Sequence, residues 1–144
     1  MKTTITLGEQ ELQLISKALD FYCRMGLGQF NYLTENYTIQ AELWKDETGN
    51  TEHKFQEVVK ELKKVYGLDS NASHGIFNKE HVGDDCRIAA HLHQQIRHEL
   101  YKVDEKMSKP QYTVNAYPAD ICQIAKMKEP DFNLKIEKNV NIIP

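Results

Sequence analysis

Residues 87–100 read RIAAHLHQQIRHEL. Their reading decides the architecture: they are one face of a long helix or a histidine cluster built for chemistry. On a 3.6-residue period Ile88, Ala89, Leu92, Ile96, Leu100 and Val103 fall on one continuous arc. That arc predicts a helix, opened by the acidic pair Asp84 and Asp85 and running to about Asp104. His91 and His98 fall on the opposite side, and His93 and Arg97 on a flank, so the pattern predicts solvated imidazoles.

Two histidines on one helix share an ion only at spacings of three or four. His91 meets Gln95 at that spacing, His93 meets Arg97, and His98 meets Lys102. His91 and His98 are seven apart, roughly 10 Å along the axis at 1.5 Å per residue. Arg87, Arg97 and Lys102 would also repel a cation. No metal set is therefore expected, and the same groups suit an anion. Glu99 breaks the pattern by falling inside the apolar arc. A buried carboxylate needs a cation or several donors. Two readings stay open: a structural pair with Arg24, Lys17 or a tyrosine hydroxyl, or a carboxylate facing a ligand.

Working outward, the upstream segment carries Phe55, Val58, Val59, Leu62, Val65 and Tyr66 at spacings of three and four, then Gly67. This predicts a helix with Gly67 just past its end and Glu52, Lys54, Lys60, Lys63 and Lys64 on its wet side. DETGNT (46–51) reads as a turn, and 69–81 as a polar loop. Near the start, Thr6 and Glu9 suggest a capping box opening a helix from about Leu7 to Met25. Leu7, Ile15, Ala18, Leu19, Tyr22 and Met25 would form its buried arc. Gly26 and Gly28 mark either a helix break or a place where small residues let another backbone come close; a kink or tight turn into a second helix at about Gln29–Lys45 is favoured, with Trp44 packed near its end.

Alternation around Ile5 and Leu7 predicts a short N-terminal strand. QYTVNAY (111–117) and FNLKIEK (132–138) alternate likewise, and 118–127 reads as a short helical turn through Ile121, Ile124 and Ala125. The expected fold is α+β and mostly helical: three to four amphipathic helices with a small sheet formed by N- and C-terminal strands. Its 144 residues suit a single domain spanning 1–144.

The composition is 40% hydrophobic and 27% charged, with net charge −3. That balance argues against a duplex nucleic-acid binder, which carries a basic patch. No run of about 18 apolar residues predicts a membrane span. The N-terminus lacks the apolar stretch of a secretory signal. Cys23, Cys86 and Cys122 are odd in number and widely spaced, which fits free thiols in a reducing, cytoplasmic setting.

Catalytic signatures are missing. There is no H-E-x-x-H, no G-x-S-x-G, no Walker A sequence and no G-x-G-x-x-G. Ser73 and His74 are adjacent and point apart. No cofactor and no catalytic residue are assigned, and the balance leans away from an enzyme. Arg24, His74, Arg87, His91, Arg97 and His98 are the candidate anion donors, with Glu99 at the edge of the same site. The seven tyrosines are candidates for stacking on a base.

The segments ALDFYCRMGLGQF (18–30), NASHGIFN (71–78) and HVGDDCRIAAHLHQQIRHEL (81–100) resemble a family of small phage and prophage accessory proteins. The resemblance implies a phage-encoded protein that counters host defence, akin to the Thoeris anti-defence sponges. Those are oligomers that capture cyclic ADP-ribose-type signals without cleaving them. The expected function is therefore non-enzymatic sequestration of a small anionic nucleotide signal, by a homo-oligomer in the host cytoplasm. Two alternatives stand beside it. One is an interaction protein that binds and inhibits a host defence protein. The other is a phosphodiesterase or nuclease whose site brings His74 or His81 to His91 across subunits.

Overall fold

The computed structural model describes residues 3–34, 45–103 and 119–136. Among them the element order is α1 (Glu9–Gly26), a 3-10 helix (Phe30–Leu33), α2 (Asn50–Val65), α3 (Asp84–Val103) and the single turn α4 (Ile121–Ile124). The chain divides into two compact units. One joins Met1–Asp20 to Ile88–Pro144, and the other is Phe21–Arg87.

The described part is helical, and the expected sheet is not there. Residues 3–7 and 132–136 hold no strand; 111–117 lie outside the described residues. The fold class is thus corrected from α+β to helical over the described chain. The alternation holds in burial for Leu134 and Ile136, half-buried beside exposed Asn133 and Lys135, but not for Phe132, which is exposed. It does not supply the partner that a ladder needs.

The helix ends follow local chemistry. α1 begins at Glu9 with Leu12 N–H on the Gly8 carbonyl, so the expected Thr6–Glu9 capping box is not its start. At its other end Gly28 N–H donates to the Met25 carbonyl and Gln29 N–H to Arg24, with Gly28 at φ 76°. This is the double hydrogen bond of a Schellman cap, which needs a left-handed residue. A Cβ on Gly28 would also run into Leu68. The expected turn at Gly26–Gly28 is present, but a 3-10 turn follows it; the rest of the expected second helix, with Trp44, lies outside the described residues. α2 ends the same way, with Gly67 N–H on Lys64 and Leu68 N–H on Lys63. Gly67 stands just past the helix at φ 71°, as its spacing predicts.

Buried faces depart from the expected arcs. In α1 the buried line is Leu12, Ser16 and Cys23, while Leu14, Ile15, Ala18 and Tyr22 are exposed. In α2 it runs through Val59 and Lys63, not through Val58, Leu62 and Val65. Lys63 was expected in solvent, yet it is only 4% exposed and donates Nζ to the Ala72 carbonyl at 2.9 Å. Its stem packs while its ammonium reaches the loop backbone. α3 is buried on more than one arc: Ala89 and Ile96 as expected, but also Cys86, Arg87, Ala90 and His91.

No described helix is long and apolar enough to cross a membrane.

Candidate functional site

The residues 21–87 unit contains a cavity of about 630 Å³. The last turns of α1 give it Tyr22, Met25 and Gly26, and the end of α2 gives Tyr66. The loop before α3 gives His81 and Gly83, and the first turn of α3 gives Asp84, Asp85 and Cys86. Gly26 makes the close approach here: a Cβ on it would lie 2.9 Å from Cys86 Sγ.

A row of rings supports one wall. Phe30 meets Tyr66 edge-on at 5.5 Å between centroids. Tyr66 tilts against His74 at 5.6 Å. His74 stacks on His81 at 4.4 Å, nearly parallel. The carbonyl oxygen of Tyr66 lies 3.3 Å from His74 Nε2, and a carbonyl can only accept, so that contact requires the proton on Nε2. His74 N–H donates to the Leu27 carbonyl at 2.9 Å, which ties the loop down. His74 thus buttresses the cavity instead of lining it.

The guanidinium groups expected to grip an anion are otherwise engaged. Arg24 donates to Gln29 Oε1 at 3.0 Å and lies 3.7 Å from the centre of the Tyr32 ring. Arg87, 2% exposed, donates Nη1 to Asp84 at 2.8 Å and Nη2 to the Asn78 carbonyl at 3.1 Å. It anchors the loop to α3 from within. No lysine or arginine lines the cavity among the described residues.

The other unit, residues 1–20 with 88–144, has a smaller pocket of about 250 Å³ lined by His91, Gln95, Glu99, Asp120, Glu129 and Phe132, with other C-terminal residues. His91 was expected in solvent, but its side chain is 8% exposed, with Nδ1 3.7 Å from Asp120. Asp120 itself caps α4 by accepting Gln123 N–H at 2.8 Å. Glu99 pairs with Lys102 at 2.5 Å, and among the described residues no pairing with Arg24, Lys17 or a tyrosine is seen. Three carboxylates make this pocket a poor anion site. His98 is half-buried, and Arg97 is exposed with Nη1 3.4 Å from His93 Nε2. The seven candidate residues are therefore spread over both units; His91 and Glu99 line one pocket together.

One constellation was not foreseen. Ser16 Oγ is 2.9 Å from His93 Nδ1, and His93 Nε2 is 3.7 Å from Asp20. The order resembles a nucleophile, base and orienting acid. The same Nδ1 sits 2.8 Å from the Ser16 carbonyl oxygen, which only a protonated nitrogen can approach so closely. Nδ1 is then a donor and cannot take the hydroxyl proton. With Ser16 buried, the group joins α1 to α3 as a structural link. Its sequence signal is a serine on a helical line with Leu12 and Cys23. Among the described residues no three His, Cys, Asp or Glu side chains gather into a metal-holding set.

Compared with known proteins, the chain matches no family model, no curated sequence and no solved structure.

Proposed function

We propose that this chain is a non-catalytic binding protein that captures a nucleotide-type ligand by its base. The supporting observation is the cavity in the 21–87 unit. Its volume falls within the range of small-molecule sites. Tyr22, Tyr66 and His81 offer ring faces and edges, and Asp84 and Asp85 offer carboxylate acceptors to the N–H edge of a base. Among the described residues the lining holds no lysine or arginine that would read a phosphate. The Ser16–His93–Asp20 group has a spent base, which favours capture over turnover. In this reading, as the phage resemblance implies, the protein acts in the host cytoplasm by sequestering a cyclic nucleotide-type defence signal.

Calorimetric titration with nucleosides, their monophosphates and cyclic ADP-ribose tests this. Nucleosides should bind within about threefold of the phosphorylated forms. Tyr66→Ala should weaken binding by roughly tenfold to a hundredfold, the worth of one stacked base. Heating should release the ligand chemically unchanged. A converted product, or no binding of any nucleoside, overturns the proposal.

A second reading, self-association, is favoured by α2. Val58, Leu62 and Val65 form an exposed row at i, i+4 and i+7. Beside it, Glu57 pairs with Lys60 and Glu61 with Lys64. Mixed charge next to an apolar seam is self-complementary, so the partner proposed is a second copy of this chain.

A further inference from the structure

Cys86 Sγ lies 3.5 Å from Cys23 Sγ and 3.2 Å from the Cys23 carbonyl oxygen. The two thiols are sixty-three positions apart in sequence and meet because Gly26 lets the last turn of α1 close on the first turn of α3. Both are buried thiols, not joined in a disulfide. Cys86 is also among the residues lining the 630 Å³ cavity, from which a small reagent would have to approach its buried sulphur. Cys23 does not line it. This arrangement gives one approachable thiol and a second in contact behind it.

We propose that Cys86 and Cys23 form a redox-responsive dithiol, a modification site for small disulfides such as oxidised glutathione, with Cys86 attacking and Cys23 resolving. The Cys86 thiolate attacks one sulphur of RS–SR. A Cys86–S–S–R bond forms, the external S–S bond breaks, and RS⁻ leaves with the electron pair. It takes up the proton that Cys86 released. Cys23 then attacks Cys86 Sγ and expels the second RS⁻, which takes up the proton that Cys23 gives up. Two protein thiols are oxidised to one disulfide and one RS–SR is reduced to two RSH. The sulphurs must close from 3.5 Å to a bond of about 2 Å.

The local chemistry agrees. Contact with the Cys23 thiol holds the Cys86 thiol below its ordinary value; burial opposes this, and Arg87 adds to the lowering. Cys122 is the internal control. It is fully buried, and burial, then Asp120 and Glu129, push its thiol up. This inference stands on the sulphur geometry and does not require the ligand reading.

The test is to incubate the native full-length chain with oxidised glutathione, quench with an alkylating agent and map peptides without reduction. Titratable thiols should fall from three to one. The mass should drop by two hydrogens, and a peptide carrying Cys23 should be linked to one carrying Cys86. Cys122 should be alkylated only after denaturation. In Cys23→Ser the reaction should stop at a Cys86–glutathione adduct, and in Cys86→Ser no adduct should form on Cys23. The wild-type map decides the matter even if a variant fails to fold. Three thiols remaining, a stable adduct on the wild type, or a link through Cys122 overturns the proposal.

Discussion

Asp46 shows how much one exposed side chain does here. Its carboxylate accepts from the backbone N–H and hydroxyl of Thr48 and from those of Thr51. Thr51 is the second residue of α2, so Asp46 satisfies one of the helix's orphan donors from outside the helix. The Thr48 and Thr51 hydroxyls, then the backbone groups, hold its carboxyl far below the ordinary carboxylate range. A depressed folded-state value contributes stability that is present above the unfolded value, about 3.9, and is lost as pH falls toward the folded one. Asp46→Asn should therefore lower the melting temperature by the same few degrees at pH 7 and pH 5, with the gap to wild type narrowing below about pH 4. A gap that is unchanged at pH 3 would refute the charge-based account. Lys63 makes the opposite case, a charge in the core. Lys63→Met keeps the stem and removes the donor to Ala72. It should cost about 1–3 kcal/mol in urea unfolding, the penalty of an orphaned buried carbonyl. Full tolerance would mean that the ammonium is not what holds the 69–81 loop.

The helices themselves were the legible part of this sequence. α2 and α3 sit where the 3.6 period and the flanking signals put them: acidic residues opening α3, Gly67 just past α2, the single turn of α4 through Ile121 and Ile124. Their faces were less legible, for a physical reason. A wheel assumes one apolar side against the core. α3 is covered on several sides, so Arg87 and His91 are as buried as Ala89. Arg87 is held there by Asp84 on Nη1 and the Asn78 carbonyl on Nη2, while its buried Nε finds no partner among the described residues. His91 and Glu99 are both expected site residues, one outside and one inside the apolar arc, and the structure lines one pocket with both. The cavity of the other unit was missed altogether. Its walls come from four segments, and none of Tyr22, Tyr66 or His81 carries a local motif. The Cys23–Cys86 contact was likewise invisible, because two cysteines far apart in sequence say nothing about their separation in space. Only Gly26, a small residue amid good helix formers, hinted that two backbones meet there.

At the scale of the whole molecule, the apolar row on α2 needs an explanation. Val65 is 88% exposed, and Val58 and Leu62 share its face. Single exposed apolar residues need no account, but a row at helical spacing marks a seam. A two-fold pairing would lay the row on its own copy, covering six aliphatic side chains. Burying them is worth of order 10 kcal/mol gross, since each is already partly covered. Association itself costs about 4–15 kcal/mol. The surplus is small, so a dimer in the micromolar range is expected, not an obligate one. The Glu57–Lys60 and Glu61–Lys64 pairs then decide orientation, because antiparallel copies set each acidic position against a basic one. Light scattering should give a mass above the 16.7 kDa of one chain at tens of micromolar and approach 16.7 kDa on dilution. Leu62→Glu places a like charge on both sides of the seam and should hold the protein at 16.7 kDa with its helical circular dichroism unchanged. A wild type that stays monomeric at tens of micromolar, or a Leu62→Glu variant that still associates, would move the interface off this face.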